Sequence, residues 1–120
     1  MLSDELLELA KLSLEDLKAR DIRILDVREL TTVTDYLIVA SGTSKRHVQS
    51  ISDRLIEAAK QQGQKPIGVE GRDSGEWILI DLADVVVHVM QPAAREFYKL
   101  EDLWSVGADP AAGSAQGSSA

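Results

Sequence analysis

The sequence predicts a single α/β domain with a mixed five-stranded sheet, in the order αββαβββα. A continuous apolar run at residues 36–40 ends in a turn of small residues, as a strand buried on both faces does before a helix. Apolar residues recur at three- and four-residue steps on either side of this run. Three short strand-like segments then follow, with links too short for a crossover helix. The 120 residues contain no internal repeat, which favours one domain.

The first half of the chain predicts a helix and two strands. Ser3 is expected to cap a helix that ends near Arg20, with Asp4 and Glu5 favourably placed in its first turn. Its apolar face consists of Leu6, Leu7, Ala10, Leu14 and Leu17. Residues 22–28 predict a strand that is half exposed, and residues 36–41 predict a central strand.

The second half predicts a helix, three antiparallel strands and a last helix. The second helix covers residues 44–62, and Gly63 suits the left-handed position after its end. Strands are expected at residues 66–70, 76–81 and 84–90. Pro92 opens the last helix, which carries Phe97, Leu100, Leu103 and Trp104 at helical spacing. The domain is expected to span residues 1–106, and residues 107–120 form a tail with too little apolar surface to fold.

Composition narrows the function classes. The chain has no cysteine and only two histidines, which argues against a disulfide framework or a zinc cluster. A net charge of −7 predicts little direct nucleic-acid contact and is compatible with a basic protein partner. The acidic N-terminus does not resemble a signal peptide, and no apolar run reaches membrane-spanning length. We therefore expect a cytoplasmic protein without membrane contact.

A turn of small residues precedes the second helix and is the first candidate site. The amides of a helix start together with two cations could hold a phosphate, but simple capping by Thr43 or Ser44 explains the same residues. The turn has neither the P-loop pattern nor the dinucleotide fingerprint. The possible anion-binding residues are Ser41, Gly42, Thr43, Ser44, Lys45 and Arg46.

The sequence offers little for catalysis. Nucleotidyl transfer would need clustered carboxylates to hold metal ions, and the acidic pair that follows the turn, Asp81 and Asp84, is placed at a predicted hairpin turn. Neither His47 nor His88 stands in a recognisable triad motif. The chain is therefore predicted not to be an enzyme and to need no cofactor or metal, with a nucleotide-binding or transferase-like enzyme as the alternative.

The late hairpin provides the second candidate site. With Leu82 and Ala83 as its turn, Trp77 is expected to pair with His88, Leu79 with Val86, and Asp81 with Asp84. Alternation then puts Trp77, Leu79, Asp81, Val86 and His88 on one face, and Ile78, Ile80, Val85, Val87 and Val89 on the other. The mixed composition of the first face suits a protein interface, and the alternative is a second core layer beneath a helix.

These segments together resemble the ribosomal silencing factor family, also called the Iojap family. The resemblance covers roughly residues 3–106 and depends on the order and spacing of several segments. They are Asp35-Tyr36, Ser41-Gly42-Thr43-Ser44, Pro66, Gly68, Glu70-Gly71, residues 77–81, residues 84–89 and residues 95–104.

The resemblance implies a nucleotidyltransferase-like fold without transferase activity. It also implies binding to the large ribosomal subunit through its ribosomal protein fourteen, a block on subunit joining, lower translation when nutrients fall, and a homodimer when the protein is free. Carried onto this sequence, it gives the partner-binding residues Glu70, Trp77, Leu79, Asp81, His88, Tyr98 and Glu101.

Overall fold

A computed structural model describes residues 1–99 and contains eight elements in the predicted order. They are α1 (Ser3–Asp16), β1 (Arg20–Asp26), β2 (Tyr36–Ser41), α2 (Lys45–Gln61), β3 (Gly68–Glu70), β4 (Trp77–Asp81), β5 (Val85–Met90) and α3 (Pro92–Tyr98). The predictions for Leu100, Glu101, Leu103, Trp104 and the tail lie outside the described residues.

The five strands form one mixed sheet in the spatial order β1-β2-β5-β4-β3. β2 and β5 pair in parallel, whereas the other three pairs are antiparallel. All six residues of β2 are buried, as the apolar run predicts. β1 lies at an edge, and five of its seven residues are exposed while the other two are half-buried, so this strand is more exposed than its interleaved charges predict. The predicted α/β class and mixed sheet are confirmed.

The core lies between one face of the sheet and the helices α1 and α2. The helices contribute the buried residues Leu6, Ala10, Leu14, Val48, Ile51, Leu55 and Ala59. The strands contribute Ile78, Ile80, Val85, Val87 and Val89, all fully buried, so the prediction that these five face helices is confirmed.

The predicted pairing of the late hairpin is wrong by two residues. Trp77 pairs with Met90, Leu79 with His88 and Asp81 with Val86, not Trp77 with His88, Leu79 with Val86 or Asp81 with Asp84. The Leu82 N–H donates to the Val85 carbonyl, so Ala83 and Asp84 form the two-residue loop. Ala83 adopts φ 73°, which a non-glycine residue rarely does. Because the shift is even, the assignment of side chains to the two faces is unaffected.

The start and end of α1 also differ from the prediction. Leu2 occupies the N-cap position, and its N–H donates to Glu5 Oε1 at 2.9 Å. Ser3 is the first helical residue and does not cap the helix: its hydroxyl donates to Asp35 in the link after β1. The helix ends at Asp16, because Lys18 turns to φ 58° and starts the path into β1.

The other helix ends follow local backbone chemistry. Gly63 follows α2 with φ +80°, and its N–H donates to the Lys60 carbonyl, which confirms its predicted left-handed role. Within the described residues, α3 runs from Pro92, as predicted, to Tyr98, and Lys99 adopts φ 48° after it. No residue of α3 is buried. None of the helices in residues 1–99 has the length and apolarity needed to cross a membrane.

Candidate functional site

Several polar groups of the turn before α2 are hydrogen-bonded within the chain. The Gly42 N–H donates to the Met90 carbonyl at 3.0 Å, and the Thr43 N–H donates to His47 Nδ1 at 2.8 Å. Ser44 caps α2, since its hydroxyl accepts the His47 N–H at 3.1 Å. The capping interpretation is therefore confirmed.

The same turn ties the two core helices together. His47 Nε2 lies 2.7 Å from the Leu17 carbonyl at the end of α1, and because Nδ1 accepts the Thr43 N–H, Nε2 carries the proton. A Cβ at Gly42 would lie 2.7 Å from Val48 Cγ2 and 3.0 Å from the Val48 nitrogen. Glycine is thus required here because α2 approaches the turn closely.

The two cations of this turn are exposed and border a surface cavity of about 450 Å³, which Arg72 also lines. Arg72 is already paired with Asp53, with two hydrogen bonds of 2.9 and 2.6 Å. The Arg72 guanidinium lowers the pKa of the Asp53 carboxyl through these hydrogen bonds. Part of the cavity lining is therefore a charge-paired link between α2 and the loop before β4, and Lys45 and Arg46 also line the cavity.

The acidic pair considered for metal binding is engaged in local structure. Asp81 Oδ1 accepts the Ala83 N–H at 2.9 Å, and Asp84 Oδ2 lies 3.2 Å from the Ser3 hydroxyl oxygen. Within residues 1–99, no group of three or more His, Cys, Asp or Glu side chains is arranged to hold a metal ion. The Asp81 carboxylate therefore stabilises the turn, whereas the Asp84 carboxylate lies beside the start of α1.

The open sheet face is the side of the sheet opposite α1 and α2. It carries Trp77, Leu79, Asp81, Val86 and His88, as predicted, together with Glu70 on β3 and Leu37, Val39, Ser41 and Met90. Within residues 1–99, α3 is the helix on this side, where Arg95 Nη1 donates to Ser41 Oγ at 2.9 Å. Trp77, Leu79 and Val86 are only half buried. Among residues 1–99, the predicted second core layer beneath a helix is therefore incomplete over Trp77, Leu79 and Val86.

The aromatic corner is the cluster Trp77, His88, Phe97 and Tyr98 at one end of this face. The Trp77 indole Nε1–H donates to His88 Nδ1 at 2.8 Å. The Tyr98 ring lies 4.7 Å from the Trp77 ring between centroids, tilted by 48°. Phe97 makes an edge contact with Tyr98 at 4.9 Å. Phe97 and Tyr98 are 80% and 50% exposed, so the corner presents aromatic surface to solvent.

His88 lies at the buried edge of this cluster. It is on β5, between Val39 on β2 and Leu79 on β4, and is 6% exposed. Burial lowers the pKa of its imidazole to about 4. The ring is therefore neutral near pH 7, and because Nδ1 accepts the indole proton, Nε2 carries its hydrogen.

The structure brings only some of the predicted partner residues together. Trp77, His88 and Tyr98 are in contact, while Glu70 and Leu79 form a cross-strand pair beside them. Asp81 lies at the opposite end of β4. Phe97 is not among the predicted site residues, because its helical spacing indicated a core position, but it lies exposed against Tyr98.

Comparison with known proteins shows which family the chain is similar to. The model of the family described as "Ribosomal silencing factor during starvation" matches residues 2–118. The chain belongs to the ribosomal silencing factor family. It is 45% identical over 103 residues to "Ribosomal silencing factor RsfS" of Chromobacterium violaceum, covering 83% of this chain and 84% of that protein. It is 42% identical over 100 residues to the Haemophilus influenzae protein of the same name, covering 83% and 98%.

More distant relatives and solved structures agree with this assignment. The crystal structure of a Chromobacterium violaceum protein superposes with a TM-score of 0.86 at 44% identity, covering 88% of each chain. The mouse protein "Mitochondrial assembly of ribosomal large subunit protein 1" is 35% identical over 91 residues, which cover 73% of this chain and 40% of that protein. The predicted family resemblance is confirmed.

Proposed function

We propose that this protein binds the large ribosomal subunit through its ribosomal protein fourteen and sterically blocks association with the small subunit. Translation is thereby repressed, notably under nutrient limitation. The observation that carries the proposal is the aromatic corner, which exposes apolar surface on a sheet face left open by α1 and α2. Membership of the ribosomal silencing factor family supports the choice of a ribosomal partner.

The proposed contact surface combines an apolar centre with acidic neighbours. Trp77 is the anchor, because large aromatic side chains carry most of the binding energy in protein interfaces. Glu70 and Asp81 lie on the same sheet face and can attract a basic protein. The full set is Glu70, Trp77, Leu79, Asp81, His88, Tyr98 and Glu101, to which the structure adds Phe97 as a candidate.

The proposed action is an equilibrium effect without turnover or a cofactor. A protein that binds the free large subunit and excludes the small one shifts the joining equilibrium in proportion to its occupancy. The net charge of −7 favours a protein contact over direct nucleic-acid contact. In this proposal the protein acts in the cytoplasm, forms a homodimer when free, and has a nucleotidyltransferase-like fold that serves as a docking domain. The domain spans residues 1–106.

Cosedimentation with purified bacterial large subunits tests the proposed surface. Replacing Trp77 by Ala should weaken binding by about 2 kcal/mol or more, because the anchor is lost. Val33→Ala is a matched control, since Val33 is 81% exposed in the link before β2, at the opposite end of the sheet from Trp77. Undiminished cosedimentation of a folded Trp77→Ala variant would remove the corner from the interface.

A further inference from the structure

Trp77 has its one polar group satisfied inside the protein. An indole has a single hydrogen-bond donor, and that N–H is given to His88 Nδ1 at 2.8 Å. The two residues are diagonal neighbours on adjacent strands, because Trp77 pairs with Met90 and His88 pairs with Leu79. This diagonal spacing is within reach of two large rings. The outward part of Trp77 is therefore apolar ring surface.

His88, which accepts this hydrogen bond, lies on the central strand of the sheet. β5 is the middle strand of the five, and His88 is paired on both sides, with Val39 and with Leu79. The Tyr98 ring also contacts the indole, with 4.7 Å between the two ring centroids. Two independent contacts thus limit the rotation of a side chain that is only half buried. Fixing such a ring before binding reduces the entropy lost when a partner docks.

We infer that His88 is a positioning residue, which holds the Trp77 indole through its Nδ1 atom in the orientation that a partner protein receives. This inference deepens the proposed function and rests on it. The chemistry of the partner follows: the surface facing Trp77 needs no hydrogen-bond acceptor and presents aliphatic side chains or the stem and charge of Lys or Arg. A buried hydrogen-bond acceptor on the partner could not bond to Trp77, because the indole N–H is already donated to His88.

The first test measures the bond in the free protein. The chain has two tryptophans, so its NMR spectrum has two indole N–H resonances, and Trp77→Phe assigns the Trp77 signal by its loss. His88→Leu removes the acceptor, and the Trp77 indole proton should shift upfield and exchange with solvent about tenfold faster. His88→Asn retains an oxygen acceptor near the Nδ1 position and should preserve the slow exchange. An unchanged resonance in His88→Leu would overturn the inference.

The second test is a double-mutant cycle with purified large ribosomal subunits. His88→Leu should weaken binding about tenfold in the wild-type background but less than about twofold in the Trp77→Ala background, because His88 acts through the indole. His88→Asn should stay within about twofold of wild type. If His88→Leu weakened binding equally in both backgrounds, its effect would be a general structural one. That result would overturn the positioning role of His88 but not the proposed docking surface. Wild-type affinity of Trp77→Ala would overturn both this inference and the proposed docking surface.

Discussion

The turn at residues 41–46 and the aromatic corner are the two candidate sites considered for this molecule. They differ in which of their groups remain free to contact another molecule. In the turn, the amides of Gly42 and Thr43 are bonded within the chain, and the Ser44 hydroxyl accepts the His47 N–H of α2. In the corner, the indole donor is satisfied, but Phe97 and Tyr98 remain largely exposed. Ser44 therefore stabilises the start of α2, whereas the corner exposes aromatic surface that a partner could contact.

This difference makes opposite predictions for mutations. An anion site requires free N–H groups, and the amides of Gly42 and Thr43 are already bonded within the chain. A docking site requires apolar area that a partner can desolvate, which the corner provides. Changes in the turn should therefore lower stability, and changes at the exposed rim of the corner should lower binding.

Lowering the pH should cause the largest loss of folding stability, because it protonates His88, the buried residue of the aromatic corner. The folded-state pKa of His88 is lowered to about 4, so between this value and about 6.5 the unfolded chain binds the additional proton. Stability should therefore fall as pH falls through this window, by about 3 kcal/mol in total. Denaturant unfolding of wild type and His88→Asn across this range measures the difference. Parallel pH profiles for the two proteins would contradict a neutral, buried His88.

Gly42→Ala tests the structural reading of the turn. The added Cβ would crowd Val48, whose side chain is fully buried, so the free energy of unfolding should fall by about 2 kcal/mol. Binding of the folded protein to large subunits should remain unchanged, because residue 42 lies outside the proposed contact surface. Denaturant unfolding and cosedimentation check the two statements. A stable variant with reduced binding would instead make the turn part of the interface.

Loss of the α2 cap should have a smaller effect. Ser44→Ala removes the acceptor of the His47 N–H and should cost about 1 kcal/mol of stability. Ser50→Ala, at an exposed position of the same helix, is the matched control and should cause no loss. Thermal unfolding of both variants makes the comparison. Equal melting temperatures would show that the Ser44 hydroxyl contributes nothing as a cap.

Charge at the rim of the corner should affect the rate of association more than stability. Glu70 is exposed beside Leu79, and Glu70→Lys should slow association with large subunits about threefold at low ionic strength, with a smaller effect at high salt. Glu8→Lys changes the net charge equally on α1, away from this face, and serves as the control. If both variants slow association alike, net charge rather than the rim steers the encounter.

The fold was predictable where one local signal dominates. The apolar run of β2 and the helical period of α2 specify a buried strand and an amphipathic helix, and Gly63 marks the end of that helix. The prediction of strand pairing in the late hairpin failed because two overlapping two-residue loops, Leu82-Ala83 and Ala83-Asp84, are equally compatible with the sequence. Ala83 adopts a positive φ, which an alanine in the sequence does not predict.

The candidate site was predictable only in part. Period-two alternation identified Trp77 and His88 as members of one face, and this survives the register error because the shift is even. Their hydrogen bond depends on ring orientation, which alternation does not encode. Phe97 has the spacing of a core residue, and its exposure follows from tertiary packing that leaves α3 without a buried residue.

A subunit-joining titration tests the central claim most directly. Purified small and large subunits are mixed with increasing amounts of the protein, and light scattering follows their association. The account predicts inhibition without added nucleotide that saturates at about one bound molecule per large subunit, with Trp77→Ala requiring a higher concentration and Val33→Ala behaving like wild type. Inhibition at far lower ratios that depends on nucleotide would contradict a steric mechanism and indicate catalytic action.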